Sequence, residues 1–214
     1  MHDENPISGL QSLGEEIFSS IVHGLGMFLA IAGMIVLIVK AVIMNQPLMV
    51  VGYAIYGFGS ISLYLSSTLF HSLTHKKAKD VFSIFDQSSI YLLIAGTYTP
   101  ITFAMNNALG WVIFGLVWGI TIYGITMQGV TLGKSSHITN ITYLAMGWLF
   151  VAFFYWMIKV LPTSLFVWLG IGAICYSAGV GFYAWKKLPY HHPIWHIFVL
   201  GGTVCHFFGL LQLV

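Results

Sequence analysis

The chain has 214 residues, of which 58% are hydrophobic and only 7% charged, and its mean hydropathy is +0.88. A soluble domain carries roughly 25% charged residues, so a water-soluble fold is excluded and a polytopic membrane protein in contact with lipid follows. All eight basic residues are lysines; arginine, the side chain best shaped for bidentate phosphate contacts, is absent, so nucleic acid is excluded as an expected partner.

The first residues, Met1-His-Asp-Glu-Asn-Pro6, are acidic and carry no basic region. They read as part of a short cytoplasmic segment, about residues 1–16, rather than a cleaved signal peptide. A membrane-spanning helix needs about 20 mainly apolar residues. Seven runs meet that need, at roughly 17–41, 48–74, 81–104, 108–128, 140–161, 163–185 and 193–213. Short separators with turn or charge character divide them: Asn45-Gln-Pro47, His75-Lys-Lys-Ala-Lys-Asp80, Asn106-Asn107, Gly133-Lys-Ser-Ser136, Pro162 and Lys186-Lys-Leu-Pro189. The expected fold is all-α, one seven-helix integral membrane domain over residues 1–214, with no repeat or linker. Cys175 and Cys205 fall inside apolar runs and read as reduced packing residues.

Lysine placement predicts the orientation. With the N-terminus in the cytoplasm, inner loops hold Lys76, Lys77, Lys79, Lys134, Lys186 and Lys187, and outer loops hold only Lys40 and Lys159. The positive-inside rule then favours a cytoplasmic N-terminus and an outside C-terminus in a cell membrane. In this frame the polar residues of four runs gather at the inner end: Glu15, Glu16, Ser19, Ser20 and His23; Ser66, Ser67 and His71; Asp86 and Ser89; His192 and His196. Ionisable groups at membrane depth are costly and raise a functional-site hypothesis.

His192 and His196 stand four apart where the seventh run begins, so on a helix they share one face. With His71 they form three nitrogen ligands, and three protein ligands leave a fourth position for water, the pattern of catalytic zinc. Histidine ligation also suits copper, nickel or iron. Asp86, about one turn into the third segment, is placed to act as general base or to orient a ligand; capping or pairing with a loop lysine is the competing role, for which Asp80 is the better cap. Ser67 lies one turn deeper than His71 on the same face, as a donor to a substrate carbonyl or as a packing residue. His75 reads as an interfacial residue and His23, deeper than the others, as a neighbour of the site or a packing residue. His206 lies ten residues past His196, about 15 Å along the helix, too far to share an ion. Pro193 disfavours helical geometry at the residue before it, so spacing leaves His191 and His192 interchangeable. Along the third segment Asp86, Ser89, Leu93, Thr97 and Pro100 recur at helical spacing as a stripe facing the bundle interior.

Glu15-Glu-Ile-Phe-Ser-Ser-Ile-Val-His-Gly24, Ser66-Ser-Thr-Leu-Phe-His71, Asp86 with Ala95-Gly-Thr-Tyr-Thr-Pro100, and His192-Pro-Ile-Trp-His-Ile-Phe-Val together resemble the bacterial hemolysin III family. That family is the prokaryotic branch of the progestin and adipoQ receptor superfamily, and the resemblance covers essentially the whole chain. It implies a seven-helix bundle with zinc near the cytoplasmic face, ligated by His71, His192 and His196, with Asp86 and Ser67 beside the bound water. It therefore favours His192 over His191. Ser19 departs from the pattern, where Asn is expected.

The wider superfamily is similar to alkaline ceramidases, which implies zinc-dependent hydrolysis of a lipid amide or ester in membrane-lipid homeostasis. Two other functions compete with that expectation. One is a non-enzymatic sensor or regulator of membrane state with a structural zinc; the other is a cytolytic pore, as the family name suggests, although no amphipathic pore-lining helix is evident.

Overall fold

The structure is a computed structural model that describes residues 11–133 and 137–213. The acidic stretch at residues 1–6, and Lys134, Ser135 and Ser136 of the fourth separator, lie outside the described residues. Among the described residues all regular structure is helical: α1 (Leu13–Ile43), α2 (Pro47–Ser72), α3 (Lys76–Met105), α4 (Ala108–Val130), α5 (His137–Gly147), α6 (Leu149–Met157), α7 (Thr163–Ala184) and α8 (His191–Leu210), closed by a 3-10 turn, Leu211–Leu213.

Six crossings are long and apolar enough to span a membrane, with α5 and α6 counting together as one over Ile138–Met157. The seventh rod, α3, is 30 residues long but too polar to qualify, and its packing explains why. It lies against α2, α4, α5 and α8 and buries an unbroken run from Ala95 to Phe103. A helix enclosed by protein has no need of a lipid-facing apolar surface. By contrast α1 exposes Leu25, Phe28, Ile35, Val39 and Val42, the outward stripe of a helix at the bundle's rim. The chain is therefore a multi-pass membrane protein.

Local signals set the ends. Ser12 and Glu15 form a reciprocal capping box on α1. Pro47 opens α2, where its missing N–H is not needed. Asn106, in the left-handed region at φ 44°, ends α3, and the Asn107 side chain accepts from Gly110 N–H at 2.9 Å to begin α4. One expectation is corrected here: Asp80 lies inside α3, which starts five residues earlier than its apolar run, and His75 is the cap, accepting from Ala78 N–H.

The fifth apolar run is broken. At Trp148 the ladder tightens, with Val151 N–H donating to Trp148 C=O at 3.0 Å. The freed Phe150 N–H donates instead to the Tyr98 hydroxyl of α3 at 2.8 Å, and that hydroxyl donates to Gly147 C=O at 3.3 Å. One side chain thus satisfies both backbone groups that the break releases, as a membrane interior demands. The central pair, α2 and α3, packs backbone to backbone: a Cβ on Gly59 would meet the Leu92 carbonyl oxygen at 2.5 Å, and one on Gly96 the Ile55 carbonyl oxygen at 3.1 Å. Small residues permit such approach between membrane helices.

The up-and-down order of the rods collects Lys76, Lys77, Lys79, Lys186 and Lys187 at one end of the bundle and Lys40 and Lys159 at the other. At the sparse end Lys40 Nζ donates to the Leu211 carbonyl at 2.8 Å, closing the C-terminal end of α8. The two cysteines are free.

Candidate metal centre

His71 sits in the last turn of α2 and His192 and His196 in the first two turns of α8, so the two helices meet at the lysine-rich end. Tyr190, in the left-handed region at φ 57°, turns the chain into α8. Pro193 then falls in the first turn, where backbone N–H groups have no intrahelical partner. His192 accordingly keeps helical geometry despite the proline that follows it, and shares a face with His196.

The ligand atoms of His71, His192 and His196 all lie within 4.8 Å of one another. Their ring centroids are 5.1 Å (His71–His192), 4.9 Å (His71–His196) and 4.7 Å (His192–His196) apart. An ion about 2.0–2.1 Å from each nitrogen holds the nitrogens roughly 3.4 Å apart, so modest ring rotation closes the set. His71 Nε2 and His196 Nδ1 are buried without hydrogen-bond partners. Buried polar atoms are rarely left so, and a metal ion satisfies both. The residues present therefore fit a three-histidine metal site.

His191 is outside the cluster and His192 inside it, so the choice between adjacent histidines falls on His192. His75 caps α3. His206 packs edge-on against Tyr176, a ring 5.3 Å away. His23 of α1 stacks on His196 at 3.7 Å between ring centroids and is 2% exposed, with both ring nitrogens unpartnered. It is a neighbour of the site and not a member of the ligand set.

Ser67, Asp86, His192 and His196 line one internal cavity of about 110 Å³. Asp86 makes no ion pair among the described residues, so the competing role as partner of a loop lysine is not observed. Ser67 Oγ is buried beside the Asp86 carboxyl. From this polar end the cavity runs between α3, α5, α7 and α8 along Ile90, Leu93, Leu144, Val180 and Val199, an apolar wall. Trp148 also lines it while remaining 38% exposed on the outer surface of the bundle, its indole N–H donating to Ser177 Oγ at 2.9 Å.

One part of the centre has no counterpart among the sequence-based assignments. Glu16, in the first turn of α1, places Oε2 2.7 Å from His71 Nδ1, and Lys79 Nζ donates to its Oε1. The available signal was a carboxylate at the mouth of an apolar helix, but no spacing within the chain tied it to a histidine 55 residues away.

A sequence profile of the family described as Haemolysin-III related matches residues 11–207, nearly the whole chain. The chain belongs to the Haemolysin-III related family. It is 41% identical over 205 residues to the Hemolysin-3 homolog of Bacillus subtilis (strain 168), covering 94% of each chain. To the Hemolysin-3 of Bacillus cereus it is 40% identical over 202 residues, covering 94% of this chain and 92% of that one. A more distant similarity, 28% over 170 residues, extends to the human monocyte to macrophage differentiation factor, covering 73% of this chain and 67% of that protein. Every residue of the three-histidine cluster, with Ser67 and Asp86, falls within the span matched by the hemolysin III profile.

Proposed function

We propose that this hemolysin III protein is a zinc-dependent hydrolase of a lipid amide or ester, acting in membrane-lipid homeostasis, with its lysine-rich end in the cytoplasm. The observation that carries this reading is the cavity beside the three-histidine cluster: His192 and His196 of that cluster, the Asp86 carboxyl and the buried Ser67 hydroxyl meet at one end of a mainly apolar cavity. Positively charged ends of membrane bundles face inward, which sets the orientation.

His71, His192 and His196 would hold the ion. When bound, zinc supplies Lewis-acid polarisation of a carbonyl and acidifies water. The apolar wall from Ile90 to Val199 receives an acyl chain that enters from lipid beside Trp148, and so orients the carbonyl at the polar end. Asp86 accepts a proton from the attacking water. Ser67 Oγ–H donates to the carbonyl oxygen as negative charge develops there. The new bond joins water oxygen to carbonyl carbon, and the C–N or C–O bond to the headgroup breaks. Asp86 returns its proton to the departing amine or alcohol, leaving a free carboxylic acid.

The test is turnover of long-chain lipid amides and esters by purified protein, comparing wild type with His196→Ala and Asp86→Ala. Loss of product in both variants supports the assignment; equal turnover in all three, or none in wild type, overturns it. Cytolysis, which the relatives' name Hemolysin-3 evokes, has less support. Tyr91, Ala95 and Ile101 of α3 are buried among the neighbouring helices, and liposomes carrying the protein are expected to retain a trapped dye.

A further inference from the structure

The first turn of α1 touches three other parts of the site. Glu15 Oε1 accepts from the Tyr190 backbone N–H at 2.9 Å, at the turn that launches His192. Glu16, the next residue, points about 100° around the helix toward α2 and α3. There one oxygen meets His71 Nδ1 at 2.7 Å and the other meets Lys79 Nζ at 2.5 Å. The carboxyl is 16% exposed, and the His71 side chain is fully buried. Glu16 and His71 also line a second pocket, open at the lysine-rich end and separate from the lipid cavity. The imidazole turns Nδ1 to Glu16 on the side of this pocket and keeps a buried, unpartnered Nε2.

A carboxylate only accepts hydrogen bonds, so His71 Nδ1 carries the proton, and in the neutral ring Nε2 presents its lone pair. The ring's tautomer and its rotation are both fixed by this one contact. Lys79 fixes the carboxylate in turn, matching its charge and holding its plane. Carboxylate–histidine pairs of this form orient metal ligands and raise their basicity.

We propose that Glu16 is the positioning residue of the metal centre, aiming His71 Nε2 at the ion from outside the ligand set, with Lys79 as its anchor. This rests on the reading of the three histidines as a metal site.

The test uses the full chain in detergent, stripped of metal and titrated with zinc against a chromophoric chelator. Wild type, Glu16→Gln and Glu16→Ala are compared. Glu16→Ala is expected to weaken zinc binding roughly 10–100-fold. Glu16→Gln keeps a carbonyl acceptor for Nδ1–H and should fall between the two, which also decides the matter if the alanine variant does not fold. Cobalt(II) at saturation should give the same d–d spectrum in all three, because the ligands are unchanged. The metal-free proteins should melt within a few degrees of one another. Wild-type affinity in both variants overturns the proposal, as does a loss of affinity that merely follows a loss of metal-free stability. A wild-type protein that binds no metal overturns the metal reading itself, a different and separately visible failure.

Discussion

Replacing one ligand at a time tests the metal centre most directly. His71, His192 and His196 supply one nitrogen each and no other histidine among the described residues joins the set, so each alanine variant removes a third of the protein's donors. Structural zinc bound by four protein ligands is worth about 10–16 kcal/mol, or roughly 2.5–4 kcal/mol per ligand if shared equally. At about 1.4 kcal/mol per decade, each variant should bind zinc roughly 10²–10³-fold more weakly. Double substitution should abolish stoichiometric binding. Metal analysis of the purified proteins gives occupancy, and chelator competition gives affinity. His75→Gln is the control, since His75 is exposed and caps α3; it should retain wild-type affinity. Wild-type affinity in any one of the three ligand variants would refute the assignment of that residue, and in two of them the site.

Asp86→Asn should keep the metal, because Asp86 is not a ligand, and lose turnover by about 10²–10⁴-fold, the usual contribution of a general base; kinetics and metal content on one preparation separate the two. Ser67→Ala should likewise keep the metal and slow hydrolysis roughly 10²–10³-fold, the effect of removing one oxyanion donor. Gly59→Ala forces a methyl group onto the Leu92 carbonyl, a backbone atom that cannot swing aside, and should cost about 1–3 kcal/mol, read as a lower melting temperature in detergent. Tyr98→Phe removes the hydroxyl that partners both Gly147 C=O and Phe150 N–H, and should cost about 1–3 kcal/mol by the same assay.

Much of this was legible because a membrane imposes harsh rules on sequence. Seven runs were visible from apolarity alone, and the polar residues that interrupt them, His71, Asp86, His192 and His196, stand out against it. The third run was found despite its serines and threonines, and the structure shows that they are tolerated because α3 is enclosed. Boundaries were less legible: α3 begins at Lys76 because a helix can continue past the hydrocarbon region, where hydropathy falls silent. The break at Trp148 was invisible, since the run from 140 to 161 is uniformly apolar and the cause of the break, Tyr98, lies on another helix. Glu16 was noticed as a polar residue at the inner end of the first run but given no role, for a similar reason. A pair such as His192 and His196 declares itself through local period, whereas Glu16 and His71 are joined only by packing.

Removing the metal separates an enzyme from a zinc-clamped regulator. The three ligands come from α2 and α8 alone, and those two helices are already joined without an ion. Tyr53 donates to the Leu210 carbonyl at 2.9 Å, Tyr64 to Thr203 Oγ1 at 2.8 Å and Tyr56 to the Thr203 carbonyl at 3.4 Å, while α1 packs against both. An ion bound there would therefore be a small part of what holds the bundle. Its expected contribution to stability is that of any ligand, about 2.7 kcal/mol at 100 times its dissociation constant. Chelation should leave the helical circular dichroism signal intact at 25 °C and lower the melting temperature by a few degrees, while hydrolysis stops and returns with added zinc. A structural clamp behaves differently: as in zinc fingers, metal-free protein loses its fold. Loss of the helical signal on chelation, restored by zinc, would overturn the catalytic reading in favour of the regulator, because the three histidines would then be supplying the fold rather than a reaction in the adjoining cavity.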